Sequence, residues 1–157
     1  MRVLMLIVML LVSGAAVPTV AGPLEDGIAA YDKGDYATAL RLLRPLAEQG
    51  NASAQNNLGF MYGAGWGVPQ DYATAVSWYR KAAEQGYGLG QHNLGAMYFN
   101  GQGVLQDYVQ AHMWFNLSAV QGDANAATHR DVVAMKMTPA QLAEAQKLGH
   151  WHRPERR

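Results

Sequence analysis

The feature that most constrains this chain is self-similarity at a fixed period. Laying Gln55 to Gly86 over Gln91 to Gly122 gives a constant offset of 36 residues. Asn57-Leu58-Gly59 then falls on Asn93-Leu94-Gly95, Met61-Tyr62 on Met97-Tyr98, and Gly65 on Gly101. Gly67-Val68 falls on Gly103-Val104, Gln70-Asp71-Tyr72 on Gln106-Asp107-Tyr108, Ala75 on Ala111, Trp78 on Trp114, and Gln85-Gly86 on Gln121-Gly122. Composition alone does not place so many identities at one offset. A repeat of this length is one supersecondary unit that buries its apolar face only by stacking on its neighbours.

Each unit reads as two helices around a glycine-containing loop. Ala54, Leu58, Met61 and Tyr62 share one helical face. Gly63, Gly65 and Gly67 are expected to end that helix, since glycine takes the left-handed backbone without a Cβ penalty. Asp71 is the expected N-cap of a second helix carrying Tyr72, Ala75, Val76, Trp78, Tyr79, Ala82 and Ala83, which Gly86 stops. The third unit repeats the plan with Asp107 as cap and Gly122 as stop. Gly59 and Gly95 fall inside helices, where glycine costs about 0.8–1 kcal/mol relative to alanine. Their recurrence predicts a partner helix too close for a side chain, with Ala75 and Ala111 as the matching small residues. Tyr62, Trp78 and their repeat mates are expected to fill the space around that contact as core.

Residues 24–50 form a shorter unit of the same kind, in which Asp35-Tyr36 and Gln49-Gly50 keep the 36-residue offset from Asp71-Tyr72 and Gln85-Gly86. After Gly122 the pattern decays, and Thr138-Pro139-Ala140-Gln141 instead carries the cap, first-turn proline and capping-box glutamine of a new helix. That helix is expected to end near Gly149 and to close the stack. Nothing alternates apolar and polar residues over a strand's length. The expectation is a monomeric, wholly helical rod of about seven helices.

The N-terminus reads differently. Arg2 precedes an unbroken apolar run from Val3 to Val12, followed by the small residues Ser13-Gly14-Ala15-Ala16 and then Thr19-Val20-Ala21. Ten apolar residues are short of the roughly 20 that span a bilayer and suit a secretory leader. Residues 1–21 are therefore expected to be a signal peptide cut after Ala21, with Ala15 or Ala16 as other cleavage points and an uncut anchor as the alternative. The chain of 157 residues balances 12 Lys+Arg against 12 Asp+Glu. That balance argues against a nucleic-acid partner, which needs clustered Lys and Arg. With no Cys, disulfides, thiolate nucleophiles and thiolate metal sites are excluded together.

Leu-Gly-x-x-Tyr, then Gly-x-Gly-Val-x-x-Asp, Ala-x-x-Trp and a closing Ala-x-x-Gln-Gly resembles the Sel1-like repeat, a relative of the tetratricopeptide repeat. Residues 51–86 and 87–122 match closely, 24–50 is more like a tetratricopeptide unit, and 123–149 resembles a degenerate C-terminal cap before a polar tail at 150–157. The resemblance implies an all-α, right-handed α/α solenoid of helical hairpins that serves as a protein-binding scaffold or adaptor in the bacterial periplasm or outside the cell. Some cysteine-rich relatives are β-lactamase-like, so an envelope hydrolase is the alternative. This chain lacks their cysteines and any Ser-x-x-Lys motif.

The search for chemistry returns little. Ser13, Ser53, Ser77 and Ser118 include no Gly-x-Ser-x-Gly turn, and no lysine stands where a phosphate-cradling loop requires it. His150 and His152 flank Trp151 in what reads as an exposed, frayed end, and His92, His112 and His129 have no spacing that demands a metal. No catalytic residue, metal or cofactor is expected. The expected partner is a protein or peptide, lying along the first helix of each unit. There, Leu58, Gly59 and Tyr62 are used in packing, which leaves Asn56, Asn57 and Phe60 in one unit and His92, Asn93, Ala96 and Phe99 in the next. Asparagine can bond a peptide backbone through donor and acceptor, and phenylalanine can hold an apolar side chain. Asn57 and Asn93 share one repeat position, so bonding to a neighbouring turn is the alternative for them. Asn56 and His92 differ between units, as partner-selecting residues should.

Overall fold

The computed structural model describes residues 22–152, so the expected leader and residues 153–157 lie outside the described residues. Eight helices and no strand are formed among them: α1 (Pro23–Asp32), α2 (Tyr36–Glu48), α3 (Ala52–Ala64), α4 (Tyr72–Glu84), α5 (Gly88–Asn100), α6 (Tyr108–Ala119), α7 (Ala124–Ala134) and α8 (Pro139–Trp151). Three units and the terminal helix account for seven. The eighth is α7, which forms although the repeat motif has decayed there. The Asp123 carboxylate caps it by accepting from the Asn125 and Ala126 N–H groups, and Ala126 and Val133 are fully buried.

Local chemistry sets the helix ends. The Asp35, Asp71 and Asp107 carboxylates accept from the exposed first-turn N–H groups of α2, α4 and α6, which satisfies donors that have no partner inside the helix. Thr138 and Gln141 form the reciprocal capping box of α8. Gly65 and Gly101 close α3 and α5 in the left-handed region, at φ 72° and 66°. Gly63 was expected to end α3 and instead lies within it; the chain turns only where the left-handed residue stands. Gly67 and Gly103 take positive φ as well and lie on the backbone or Cβ of Tyr36 and Tyr72. The glycine loop of each unit thereby rests on the start of the preceding unit's second helix.

Consecutive helices pack on one another from α1 to α7, and α3 also touches α5. The first helices of successive units therefore share one side of the stack. The end is arranged differently, because α8 packs on α6. Surrounded by α5, α7 and α8, α6 buries Ala111, His112, Met113, Trp114, Phe115, Leu117 and Ser118, as a helix enclosed on several sides must. Leu43, Leu58 and Met61 anchor the core of the first half, and Leu94, Met97, Met113 and Trp114 that of the second.

The close approach at Gly59 and Gly95 is present, but its partners are not Ala75 and Ala111. A Cβ on Gly59 would stand 2.6 Å from Tyr79 Cδ1, and one on Gly95 would stand 2.9 Å from Phe115 Cδ1. Glycine here makes room for an aromatic ring rather than for a backbone. Ala75 faces Gly63 instead, one turn further along α3. The two tryptophans also differ. Trp114 is 4% exposed, whereas Trp78 is half-buried with the Lys81 ammonium 4.1 Å above its ring. At the C-terminus, α8 continues two residues past Gly149, and His152 packs edge-on against Trp114 at 5.2 Å.

Candidate functional site

The first helices α3, α5 and α7 carry a polar ladder whose rungs follow the repeat. Asn56 and His92 occupy one repeat position, and Asn57, Asn93 and His129 the next. The Asn93 Nδ2 of α5 donates to Asn56 Oδ1 of α3 at 2.9 Å. One unit later, His129 Nδ1 of α7 meets His92 Nε2 of α5 at 3.2 Å. Asn57 donates to the Ser53 carbonyl one turn back in its own helix, the local bond that was its structural alternative. Asn56 is only 8% exposed, so its amide is turned into the ladder rather than towards solvent.

His92 is held from behind as well. Its Nδ1 lies 2.6 Å from Asp123 Oδ2. The same Oδ2 lies 3.0 Å from the Ser118 hydroxyl, while Oδ1 accepts from two N–H groups of α7. Burial alone would raise the Asp123 pKa, but the donated bonds from His92, the Ala126 N–H and Ser118 outweigh it and hold the carboxyl below its usual range. An ionised Asp123 keeps a proton on His92 Nδ1, and in the neutral ring Nε2 is then the acceptor facing His129. Ser118 donates to the carboxylate and lies 2.9 Å from the Gly88 carbonyl, so its hydroxyl faces no imidazole. Serine, aspartate and histidine meet here in an order that activates no nucleophile.

Two apolar features flank the ladder. Phe60 is 40% exposed and packs with Trp66 at 5.3 Å and Tyr31 at 6.2 Å, and Trp66 stacks on Tyr36 at 4.9 Å. Further along, Ala96, Phe99, Phe115, His129, Val132 and Val133 line a cleft of about 90 Å³ between α5 and α7. A cavity of roughly 150 Å³ is enough for benzene, so this cleft suits a single small aliphatic side chain. Phe99 also packs against Tyr108 at 5.8 Å. The expected residues therefore divide into two groups: Asn56, Asn57, His92 and Asn93 build the ladder or its helix, and Phe60, Ala96 and Phe99 border the apolar surface.

Several functional groups carried no sequence signal as single residues. His129 stands 37 residues from His92 and is joined to it only by the superposition of units. Gln55 and Gln91 are buried, and each donates to the last-turn carbonyl of the preceding unit, Ala47 and Ala83, at 3.0 and 3.2 Å. Each also accepts from Gln85 or Gln121 at 2.7 Å. The recurrence of these glutamines at one offset was the available sign. His112 is buried with its Nδ1 unpartnered. Burial, and then the nearby Arg130 charge, lower its pKa against the opposing effect of Asp131.

The family model described as Sel1 repeat matches residues 22–51, 52–87 and 88–123. Among solved structures, the chain is similar to a protective antigen present in uropathogenic Escherichia coli strains and displaying an SLR fold, at 34% identity and a TM-score of 0.77. That match covers 80% of this chain and 28% of the antigen, so the chain spans little more than a quarter of its length. It is also similar to a Sel1 repeat protein from Oxalobacter formigenes, at 34% identity and a TM-score of 0.58, covering 68% of this chain and 95% of that one. No curated protein matches the chain.

Proposed function

Because the chain belongs to the Sel1 repeat family, we propose that it is an exported scaffold that holds a peptide or protein partner along the face formed by α3, α5 and α7. The observation that carries this reading is apolar surface left open on that face. Phe60 is 40% and Val132 36% exposed, and the cleft between α5 and α7 accepts one aliphatic side chain. Exposed aromatic and aliphatic anchors beside fixed polar groups are the usual anatomy of a peptide-binding surface. Asn93 and His129 then supply the polar edge. A hydrolase finds no support in Ser118, whose hydroxyl faces a carboxylate and a carbonyl.

Affinity capture from envelope extract tests the surface. The wild-type chain retains its partner, whereas Phe60→Ser with Val132→Asp loses it while the chain stays folded and helical by circular dichroism. Full capture by the double variant would move the site to the glycine loops at 63–67 and 99–103. Export rests on Arg2 and the Val3–Val12 run. N-terminal sequencing of the envelope fraction is expected to start at Gly22, and an intact Met1 on cytoplasmic protein would overturn that part.

A further inference from the structure

The rung that joins α5 to α7 differs from the one before it in a way that bears on chemistry. Asn56 and Asn93 make an amide–amide bond. One unit later the equivalent positions bring two imidazole nitrogens within 3.2 Å of each other. Two nitrogens bound at about 2.05 Å to a tetrahedral zinc ion lie about 3.3 Å apart. The separation already present is therefore that of two ligands on one ion.

We propose that His92 Nε2 and His129 Nδ1 form a binding site for a divalent ion of the zinc, copper or nickel type, with Asp123 oriented behind His92. Three observations support it. The Asp123 carboxylate lies 2.6 Å from His92 Nδ1; the proton held there fixes the tautomer that offers Nε2 as a ligand, the carboxylate–histidine arrangement found behind many metal sites. Phe115 steadies both rings, with centroids 5.5 Å from His92 and 5.3 Å from His129. Neither partner of the rung is buried away from water: His129 is exposed and the His92 side chain is 18% exposed. Imidazole suits zinc, copper and nickel alike.

The proton balance is simple. With His92 neutral and its proton on Nδ1, the ion-free rung has His129 Nδ1 donating to His92 Nε2. When the ion enters between the two nitrogens, that proton moves to Nε2 of His129, so two neutral imidazoles bind without net proton release. Among the described residues no group of three His, Cys, Asp or Glu can hold a metal, so water completes the coordination sphere. Spacing rules miss this pair because its members lie on different repeats.

The test is titration of purified, tag-free protein with Zn²⁺ by calorimetry and with Cu²⁺ by electron paramagnetic resonance. One saturable equivalent is expected, with two nitrogen ligands on copper. His129→Ala, at an exposed position, removes saturable uptake while the helical melting curve is kept. Asp123→Asn retains a good helix cap yet weakens binding by about 10–100-fold. The His150→Ala/His152→Ala double variant binds as wild type. Absence of a saturable equivalent, wild-type binding by His129→Ala, or loss of binding in the tail double variant overturns the proposal. No partner protein enters the experiment, so its failure leaves the scaffold reading standing.

Discussion

Tyr79 of α4 lies so close to Gly59 of α3 that a β-carbon there would stand 2.6 Å from its ring. Tyr79 is itself buried, and desolvation pushes its hydroxyl well above the ordinary range. A β-carbon at position 59 therefore forces the ring or its helix to shift. Gly63, one turn on, meets only the Ala75 methyl at 3.6 Å, an ordinary contact.

These two helical glycines therefore predict opposite outcomes for the same substitution. Gly59→Ala gains up to about 1 kcal/mol of helix propensity but overpacks the ring at a cost of about 1–3 kcal/mol, so urea unfolding should show a net loss. Gly63→Ala should raise stability by up to about 1 kcal/mol.

The buried glutamines predict an interface effect. Gln91 is 1% exposed and holds both the Ala83 carbonyl and the Gln121 amide. Gln91→Leu removes one of two donors to the Ala83 carbonyl, which keeps the Gly86 N–H at 2.9 Å, and takes the acceptor from the Gln121 amide, so a loss of about 1 kcal/mol is expected in denaturant unfolding. An unchanged midpoint would mean that water replaces the bond.

Trp114 and Trp78 occupy one repeat position with unequal burial. Trp114→Ala should cost about 3–5 kcal/mol, the usual range for a buried aromatic. Trp78→Ala should cost clearly less, because its ring is half-buried and partly covered by Lys81. Thermal melts of the two variants check the ranking.

Two groups predict how stability falls in acid. His112 has a lowered folded pKa, so the folded state binds fewer protons than the unfolded one. Its contribution is complete above the unfolded value of about 6.5 and is lost as pH falls through the lower folded value. His112→Leu should flatten the melting temperature across that window without loss at neutral pH, since it also removes the unpartnered Nδ1. Asp123, also lowered, acts further down: its contribution is present above about 3.9 and disappears as pH falls through its folded value. Asp123→Asn should flatten that lower limb alone.

Much of the fold was legible because repetition turns single residues into a pattern. Asp71, Asp107 and Thr138 announce their helices by cap chemistry within a few positions, and the structure places them accordingly. What escaped was contact between helices. That Gly59 accommodates Tyr79, not Ala75, depends on how far one helix slides along another. The helix α7 lacks the repeat motif and is held by the Asp123 cap and by Ala126 and Val133, which a motif search passes over. On the candidate face, the residues were legible but their pairing was not. Asn56 and His92 look like free polar groups in a linear reading, and each is joined to a side chain 37 positions away.

The return of α8 onto α6 has a consequence for the open end of the stack. A stack of identical units has no internal reason to stop, since every last hairpin offers the next one a docking surface. Here α8 occupies the flank of α6 with Ala145 and Leu148, and Gly149 stands against Met113. A further hairpin inserted after Gly122 would meet α6 already covered by both α7 and α8. Helix α8 thus covers apolar surface of α6 that would otherwise face solvent.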